Sequence, residues 1–279
     1  MGVAEGVRCA VVGHVEWIDF VRVERVPKPG EIVTALDGWG EAAGGGAMAA
    51  RELLRLGAET TFFTALGRDD LGVRAEHELR RHGLTLELVF RDAPQRRGFT
   101  FLDEEGERTI TVVGEKLVSH ADDPLGWEGL ESTDGVYFCG GDPGALRLAR
   151  RARVVVATAR ELPTLAEAGV QLDALVHSSR DSSERYRPGD LDPPPRLVAT
   201  TEGAAGGRFT ADGEEGRWAA APLPGPLADV YGAGDSFAAG LTFALAEGRS
   251  PQEAVKLAAA SGSRAMTRHG AARGGDSLV

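Results

Sequence analysis

Lysine is nearly absent from this chain of 279 residues: Lys28, Lys116 and Lys256 are the three it has. Arginine supplies the rest of the 31 basic residues, against 42 acidic ones, for a formal net charge of −11. A nucleic-acid-binding surface needs a basic face, so nucleic acid is excluded as an expected partner. Small anions are not excluded, because a site can be locally positive inside an acidic protein. No lysine follows a glycine, which excludes the Gly-Lys phosphate cradle of P-loop enzymes. Cysteine is scarce too. Cys9 and Cys139 lie in apolar runs and read as buried free thiols. No apolar run approaches the roughly 18 residues needed to cross a bilayer. The first residues lack the basic-then-apolar order of a signal peptide. The expectation is a soluble, cytoplasmic protein without membrane contact. With 42% hydrophobic residues, the chain can build one large α/β core or two small ones, and a single domain over 1–279 is expected.

What is present is an alternation of apolar strand-like runs with helical patterns. Strands are expected at 9–15, 60–67, 135–139, 153–158, 173–177 and 196–201. Helices are expected at 47–57, 69–83, near 144–152 and near 161–169, with two more after residue 235. Gly57 and Gly83 read as helix stops. Ser250, Pro251 and Glu253 read as a capping box. Continuous Val-rich strands between helices indicate a mostly parallel sheet covered on both faces, an α/β fold. Two segments break the rhythm. Residues 15–38 and 97–113 alternate polar with apolar, the second around an acidic Gly turn. They are expected to form jointly a half-exposed antiparallel sheet, a lid over a cleft. The alternative is two unrelated surface hairpins.

The chemistry concentrates in "DVYGAGDSFAAG" (229–240). Gly232, Ala233 and Gly234 are small, and the glycines tolerate a left-handed backbone. Such a turn at the start of a helix points backbone N–H groups into one concavity, an anion site that needs no lysine. Asp235 at that helix start is either an N-cap or a base that accepts the proton of an attacking hydroxyl. The motif alone leaves both open.

The motif resembles the signature of the ribokinase-like (PfkB) carbohydrate kinase family, D-T-x-G-A-G-D-x-F-x-x-G. Asp229, Gly232, Ala233, Gly234, Asp235, Phe237 and Gly240 match it. Further likenesses occur in order: a first strand ending at Gly13, "VPKPGEIV" (26–33), "AAGGGAMAARELLRLGA" (42–58), "TFFTALGRDDLG" (61–72) and "TEGAAGG" (201–207). The resemblance implies a doubly covered central sheet with a β lid, and transfer of the ATP γ-phosphate to a sugar hydroxyl. It implies Asp235 as general base, and Gly232, Ala233 and Gly234 as anion hole. It implies Thr201, Gly203 and Gly206 along the nucleotide, with Ala258, Ser261, Gly262 and Gly270 near the adenine. On the acceptor side it implies His14, Glu16, Asp19, Gly44, Gly45 and Met48, with Arg108 from the lid and Asp142 from a strand end. For several of these a structural role competes: His14 as a strand-end histidine, Arg108 as a solvated lid charge, Asp142 as an N-cap, Trp17 as a lid anchor.

The departures concern the substrate more than the chemistry. Met48 stands where the family's sugar-binding asparagine is usual. The usual D-x-N-x-R appears as Val156, Thr158 and Arg160. The metal-associated N-x-x-E appears as Ser178 and Asp181, which leaves Mg²⁺ to ATP phosphates and waters, with Asp181 as the candidate contact. Val230 and Tyr231 replace threonines that help hold a monovalent cation, so potassium use is doubtful. A nucleoside acceptor is the alternative within kinases. A catalytically weak metabolite sensor is the alternative outside them. "GWGEAA" (38–43) fits a dinucleotide fingerprint weakly, because it does not follow the first core strand. A homodimer through the lid's edge is a further expectation.

Overall fold

A computed structural model describes residues 6–104, 108–271 and 276–277. The chain runs through β1 (Arg8–Val12), β2 (Glu16–Arg22), β3 (Asp37–Ala43), α1 (Gly45–Arg55), β4 (Glu59–Gly67), α2 (Asp70–Arg81), β5 (Thr85–Arg91), β6 (Arg97–Leu102) and β7 (Arg108–Val113). It continues through β8 (Gly135–Phe138), α3 (Pro143–Ala149), β9 (Val154–Thr158), α4 (Leu162–Ala168), β10 (Ala174–Ser178), β11 (Leu197–Thr201), β12 (Gly207–Ala211) and β13 (Glu214–Trp218). Last come α5 (Ala233–Ala246), α6 (Pro251–Ala265) and β14 (Asp276–Ser277).

Nine strands form the main sheet in the order β13-β12-β11-β10-β9-β8-β1-β4-β5. From β11 to β5 every neighbouring pair is parallel, and β12 and β13 close one edge antiparallel. The strands read as continuous apolar runs because both faces are covered. In β1, Cys9 and Val11 point to a core shared with α1, α2, α5 and α6. Ala10 and Val12 point to the opposite core, shared with α3 and α4. The helix stops fall as expected, with Gly57 at φ 92° and Gly83 at φ 86°. The capping box at Ser250 and Glu253 forms. No helix of the described residues is long and apolar enough to cross a membrane.

The second sheet has the order β14-β3-β2-β6-β7. Residues 15–38 and 97–113 do join, but their contact, β2 with β6, is parallel. The antiparallel pairs are β2 with β3 and β6 with β7. Nor is the sheet half-exposed throughout. β2 and β3 are nearly all buried, whereas β7 is exposed along its length. The prolyl stretch 26–36 is not strand; its partner strand is β3, made from the "DGWGEAA" that resembled a nucleotide-binding turn. Gly40 serves packing there, because a Cβ would lie 2.8 Å from the Trp17 indole nitrogen. Residues 105–107 of the expected acidic turn lie outside the described residues.

Candidate active site

α5 lies close on β8 because Gly135 has no side chain. A Cβ there would come within 2.9 Å of the Ala246 Cβ and 3.1 Å of Thr242. The N-terminus of α5 is thereby brought to the carboxyl end of β8. Gly232 precedes the helix in the left-handed region at φ 70°, and Asp235 sits in the first turn. Asp235 caps nothing: the N-cap is Gly232, with no side-chain cap. Its carboxylate instead accepts a hydrogen bond from the buried Tyr137 hydroxyl at 3.4 Å. It also faces Gly45, where a Cβ would stand 2.8 Å from Asp235 Oδ1 and 3.4 Å from the His14 ring. Burial pushes the Asp235 carboxyl above the usual carboxylate range, while Arg160, Arg108, the Tyr137 hydrogen bond and Lys116 pull it back.

His14 follows β1, and its Nδ1 donates to the Cys139 carbonyl at 3.2 Å. That leaves Nε2 toward Glu16 Oε1, 3.9 Å away. Burial, then the Lys116, Arg96 and Arg160 charges, lower its pKa to about 3, so the imidazole is neutral at physiological pH. Glu16 is paired with Arg96 at 2.8 Å. Burial raises the Glu16 pKa against the pull of Arg96. Lys116 pairs with Glu161 and donates to the same Cys139 carbonyl at 3.3 Å. These groups form a polar floor of neutralised pairs beside Asp235.

Two loops meet over that floor. Gly44, at φ 88°, donates its N–H to the Tyr231 hydroxyl at 3.1 Å. Met48 is buried with Phe20, Trp39 and Tyr231 and abuts Gly232, where a Cβ would lie 2.2 Å from its methyl. Asp229 is fully buried and accepts from the Tyr231 and Gly270 amides, both at 2.8 Å, which fixes the turn before Gly232. Arg108 donates to the Val230 carbonyl at 2.6 Å and lies over the Tyr231 ring. His14, Glu16, Gly44, Gly45, Met48, Arg108 and the Gly232–Asp235 turn are therefore one cluster.

Other candidates lie apart from it. Strand alternation sends Asp19 to the face opposite Ile18 and Phe20, where it binds Arg97 at 2.7 Å and Trp17 at 3.3 Å. Trp17 is a buried anchor with the Arg74 guanidinium 4.3 Å from its ring centre. Asp142 caps α3, accepting from Ala145 at 2.7 Å and from Ala121 at 3.0 Å. Ala258 and Ser261 are buried against Gly240, where a Cβ would meet Ser261 Oγ at 2.7 Å. Gly262 does reach the Gly232–Asp235 turn, since its Cβ would lie 3.1 Å from the Ala233 carbonyl.

A second turn carries Thr201 at the end of β11, then Gly203 at φ 64° and Gly206 at φ 84°. The Arg180 guanidinium lies over Gly203, 2.8 Å from where a Cβ would be. Asp181 accepts from Ser183 and pairs with Arg160 at 2.8 Å. Arg160 also binds Glu184 at 2.6 Å. Among the described residues no group of three or more His, Cys, Asp or Glu could hold a metal ion. Motif reading missed Tyr137, Arg96, Lys116 and Glu184. A tyrosine in the apolar run "GVYFC" and the rarity of lysine were the available signals.

The family model described as pfkB family carbohydrate kinase matches residues 8–174 and 190–277. A curated relative, the ATP-dependent ribose-1-phosphate kinase of Halopiger xanaduensis, is 26% identical over 281 residues, covering 95% of this chain and 94% of that protein. The solved ribokinase of Thermotoga maritima shares the fold with a TM-score of 0.75 at 22% identity, covering 95% of this chain and 94% of that one. The Arabidopsis thaliana ribokinase complexed with ribose and ATP gives a TM-score of 0.72 at 21% identity, with 95% and 94% covered. With nearly its whole length matched by that model, the chain belongs to the pfkB family of carbohydrate kinases, phosphotransferases whose acceptor is an alcohol group.

Proposed function

We propose that the protein is an ATP-dependent kinase that transfers the γ-phosphate to a hydroxyl of a sugar or sugar-like molecule, with Asp235 as general base. The observation that carries this is the place of the Asp235 carboxylate, in the first turn of α5 after Gly232 and against Gly45 and the His14 ring. An acceptor hydroxyl beside that carboxylate gives its proton to Asp235 as its oxygen attacks phosphorus. A carboxyl raised by burial holds that proton better than a solvated one would. Arg160 and Arg108 favour its ionised form beforehand. The backbone N–H groups of Gly232, Ala233 and Gly234, at the positive end of α5, stabilise the charge that develops on the transferred group.

ATP supplies the phosphoryl group, and the turn of Thr201, Gly203 and Gly206 is the part of the chain that would line its phosphates. Gly262 borders the anion turn from α6. The described residues do not make a protein cage for Mg²⁺, and Asp181 is engaged by Arg160 and Ser183. Mg²⁺ is therefore assigned to the nucleotide phosphates and water. In the same reading the chain is one kinase domain, the smaller sheet is its lid, and the exposed edge strand β7, with Ile110, Val112 and Val113, is the place for a homodimer contact.

A second acceptor class has its own support. Met48 is packed among Phe20, Trp39 and Tyr231, so the usual asparagine position offers no hydrogen bond to a sugar hydroxyl. An apolar wall there suits a nucleoside base. A panel of sugars, sugar phosphates and nucleosides, read by coupled ADP detection, separates the two. ADP release at the bare ATPase rate with every acceptor would instead mean a metabolite sensor. Asp235→Asn is expected to lower turnover by about two to four orders of magnitude with folding and ATP binding retained. Normal turnover by that variant would remove Asp235 from the base role.

A further inference from the structure

We infer that Tyr137 is a positioning residue for Asp235: its hydroxyl holds Oδ1 and so fixes the orientation in which the carboxylate meets the acceptor. The inference rests on the base assignment above and adds a residue to it. Tyr137 stands in β8 on the face that packs under α5, the same face as Gly135. Its side chain is 1% exposed. A fully buried phenol needs a partner for its hydroxyl, and the partner here is Asp235 Oδ1.

Three features make this more than a packing contact. First, the donor is fixed in kind. Burial, and then the nearby Asp235 charge, raise the phenol far above its ordinary pKa, so it stays protonated and donates. Second, Asp235 Oδ1 is the oxygen on the Gly45 side, and the hydroxyl approaches that same atom. Tyr137 thus restricts rotation of the carboxylate about its terminal bond, which is otherwise soft. Third, no other hydrogen-bond donor to the Asp235 side chain is found among the described residues; the surrounding cations act at longer range. The charged and titratable groups around it are Arg108, Lys116 and Arg160 on the cationic side, and Glu16 and Glu184 on the acidic side. Neutral His14 and the protonated thiol of Cys139 complete the set.

A donor to the ionised carboxylate favours the charged form. Its removal therefore moves the Asp235 titration to higher pH. The direct test needs no acceptor. Full-length protein labelled with ¹³C at aspartate carboxyl carbons is titrated by NMR, and the Asp235 signal is assigned by its loss in Asp235→Asn. In Tyr137→Phe the Asp235 midpoint should rise. In the wild type, the Tyr137 ring carbon bearing oxygen should shift with the midpoint of Asp235, a measurement independent of any variant's folding. An unchanged midpoint in Tyr137→Phe, or a Tyr137 signal blind to that titration, overturns the inference. With the preferred acceptor from the panel, Tyr137→Phe should lose about three- to tenfold in kcat, keep its acceptor KM, and show an acid limb displaced upward. A uniform loss across pH would mark a merely structural role. If Asp235→Asn turned over normally, the base assignment and this inference would fall together; an inactive Asp235→Asn beside an unshifted Tyr137→Phe sinks this inference alone.

Discussion

Arg108, the first residue of β7, donates to the Val230 carbonyl at 2.6 Å, so the smaller sheet is tied to the loop that leads into the Gly232–Asp235 turn. The two residues are 122 positions apart in the chain. The guanidinium also lies 5.9 Å from the Tyr231 ring centre. The contact is exposed, so it adds little to folding, but it limits where the Val230–Gly232 backbone can go.

Arg108→Ala should leave the melting temperature within the range of an ordinary surface substitution, about 0.5 kcal/mol. It should lower kcat/KM by about tenfold, the equivalent of ~1.4 kcal/mol at the transition state. Steady-state kinetics beside a thermal melt checks both. Wild-type kinetics would mean that the link to Val230 has no part in turnover.

Gly232→Ala should be severe for two separable reasons. The left-handed φ of 70° costs a non-glycine residue about 1–2 kcal/mol. The new methyl would also meet the Met48 methyl at 2.2 Å. A double-variant cycle with Met48→Ala isolates the second part: Gly232→Ala should cost less stability when Met48 is already truncated. Strict additivity in urea unfolding would show that Met48 does not press on the turn.

The parts of the fold legible from sequence are those set by neighbouring residues. Gly57 and Gly83 end helices through their own backbone freedom, and Ser250 with Glu253 caps one within a single turn. The apolar runs named the central strands because both sheet faces are covered. The β12–β13 hairpin was overlooked although Asp212-Gly213, both at positive φ, carry a readable turn signal. β3 was not assigned as a strand, since its glycines break the apolar pattern; the weak dinucleotide fingerprint they form is packing, with Gly40 making room for Trp17. In the site, the GAGD turn is local and could be read directly. The partners of its aspartate could not: Tyr137 is 98 positions away, and only the β8–α5 packing brings it there. Strand phase also decides that Glu16 faces the site while Asp19 turns to Arg97, and a motif of ambiguous register cannot supply that phase.

His14 makes the protein sensitive to acid. Its pKa falls from an ordinary 6.5 to about 3 in the fold, burial being the main cause. Below about pH 6.5 the unfolded chain takes up a proton that the folded one refuses. The stability present above that pH is therefore lost as pH falls toward 3, at a rate approaching ~1.4 kcal/mol per pH unit from this group. His14→Gln removes the titration, so the gap between wild type and variant in urea unfolding should change between pH 7 and pH 5. A gap independent of pH would show that His14 takes up its proton as readily in the folded protein as in the unfolded chain.

Gly45→Ala tests whether the close fit of Asp235 against Gly45 is functional. The position is the first residue of α1, and its φ is not in the left-handed region, so alanine costs the backbone little. The added Cβ would stand 2.8 Å from Asp235 Oδ1 and 3.3 Å from its carboxyl carbon. Something must give, and the nearest atoms belong to a side chain held there by the hydrogen bond from Tyr137. The carboxylate is expected to swing out of line with the acceptor while the helix remains formed. Turnover should drop by about 10²-fold, the scale of loss that a displacement of about 1 Å produces in an aligned site. ATP affinity and the melting temperature should change little, because neither depends on the acceptor side. Calorimetric titration with ATP, a thermal melt and the ADP-release assay together give the answer. Full activity in Gly45→Ala would mean that the acceptor reaches Asp235 by another path.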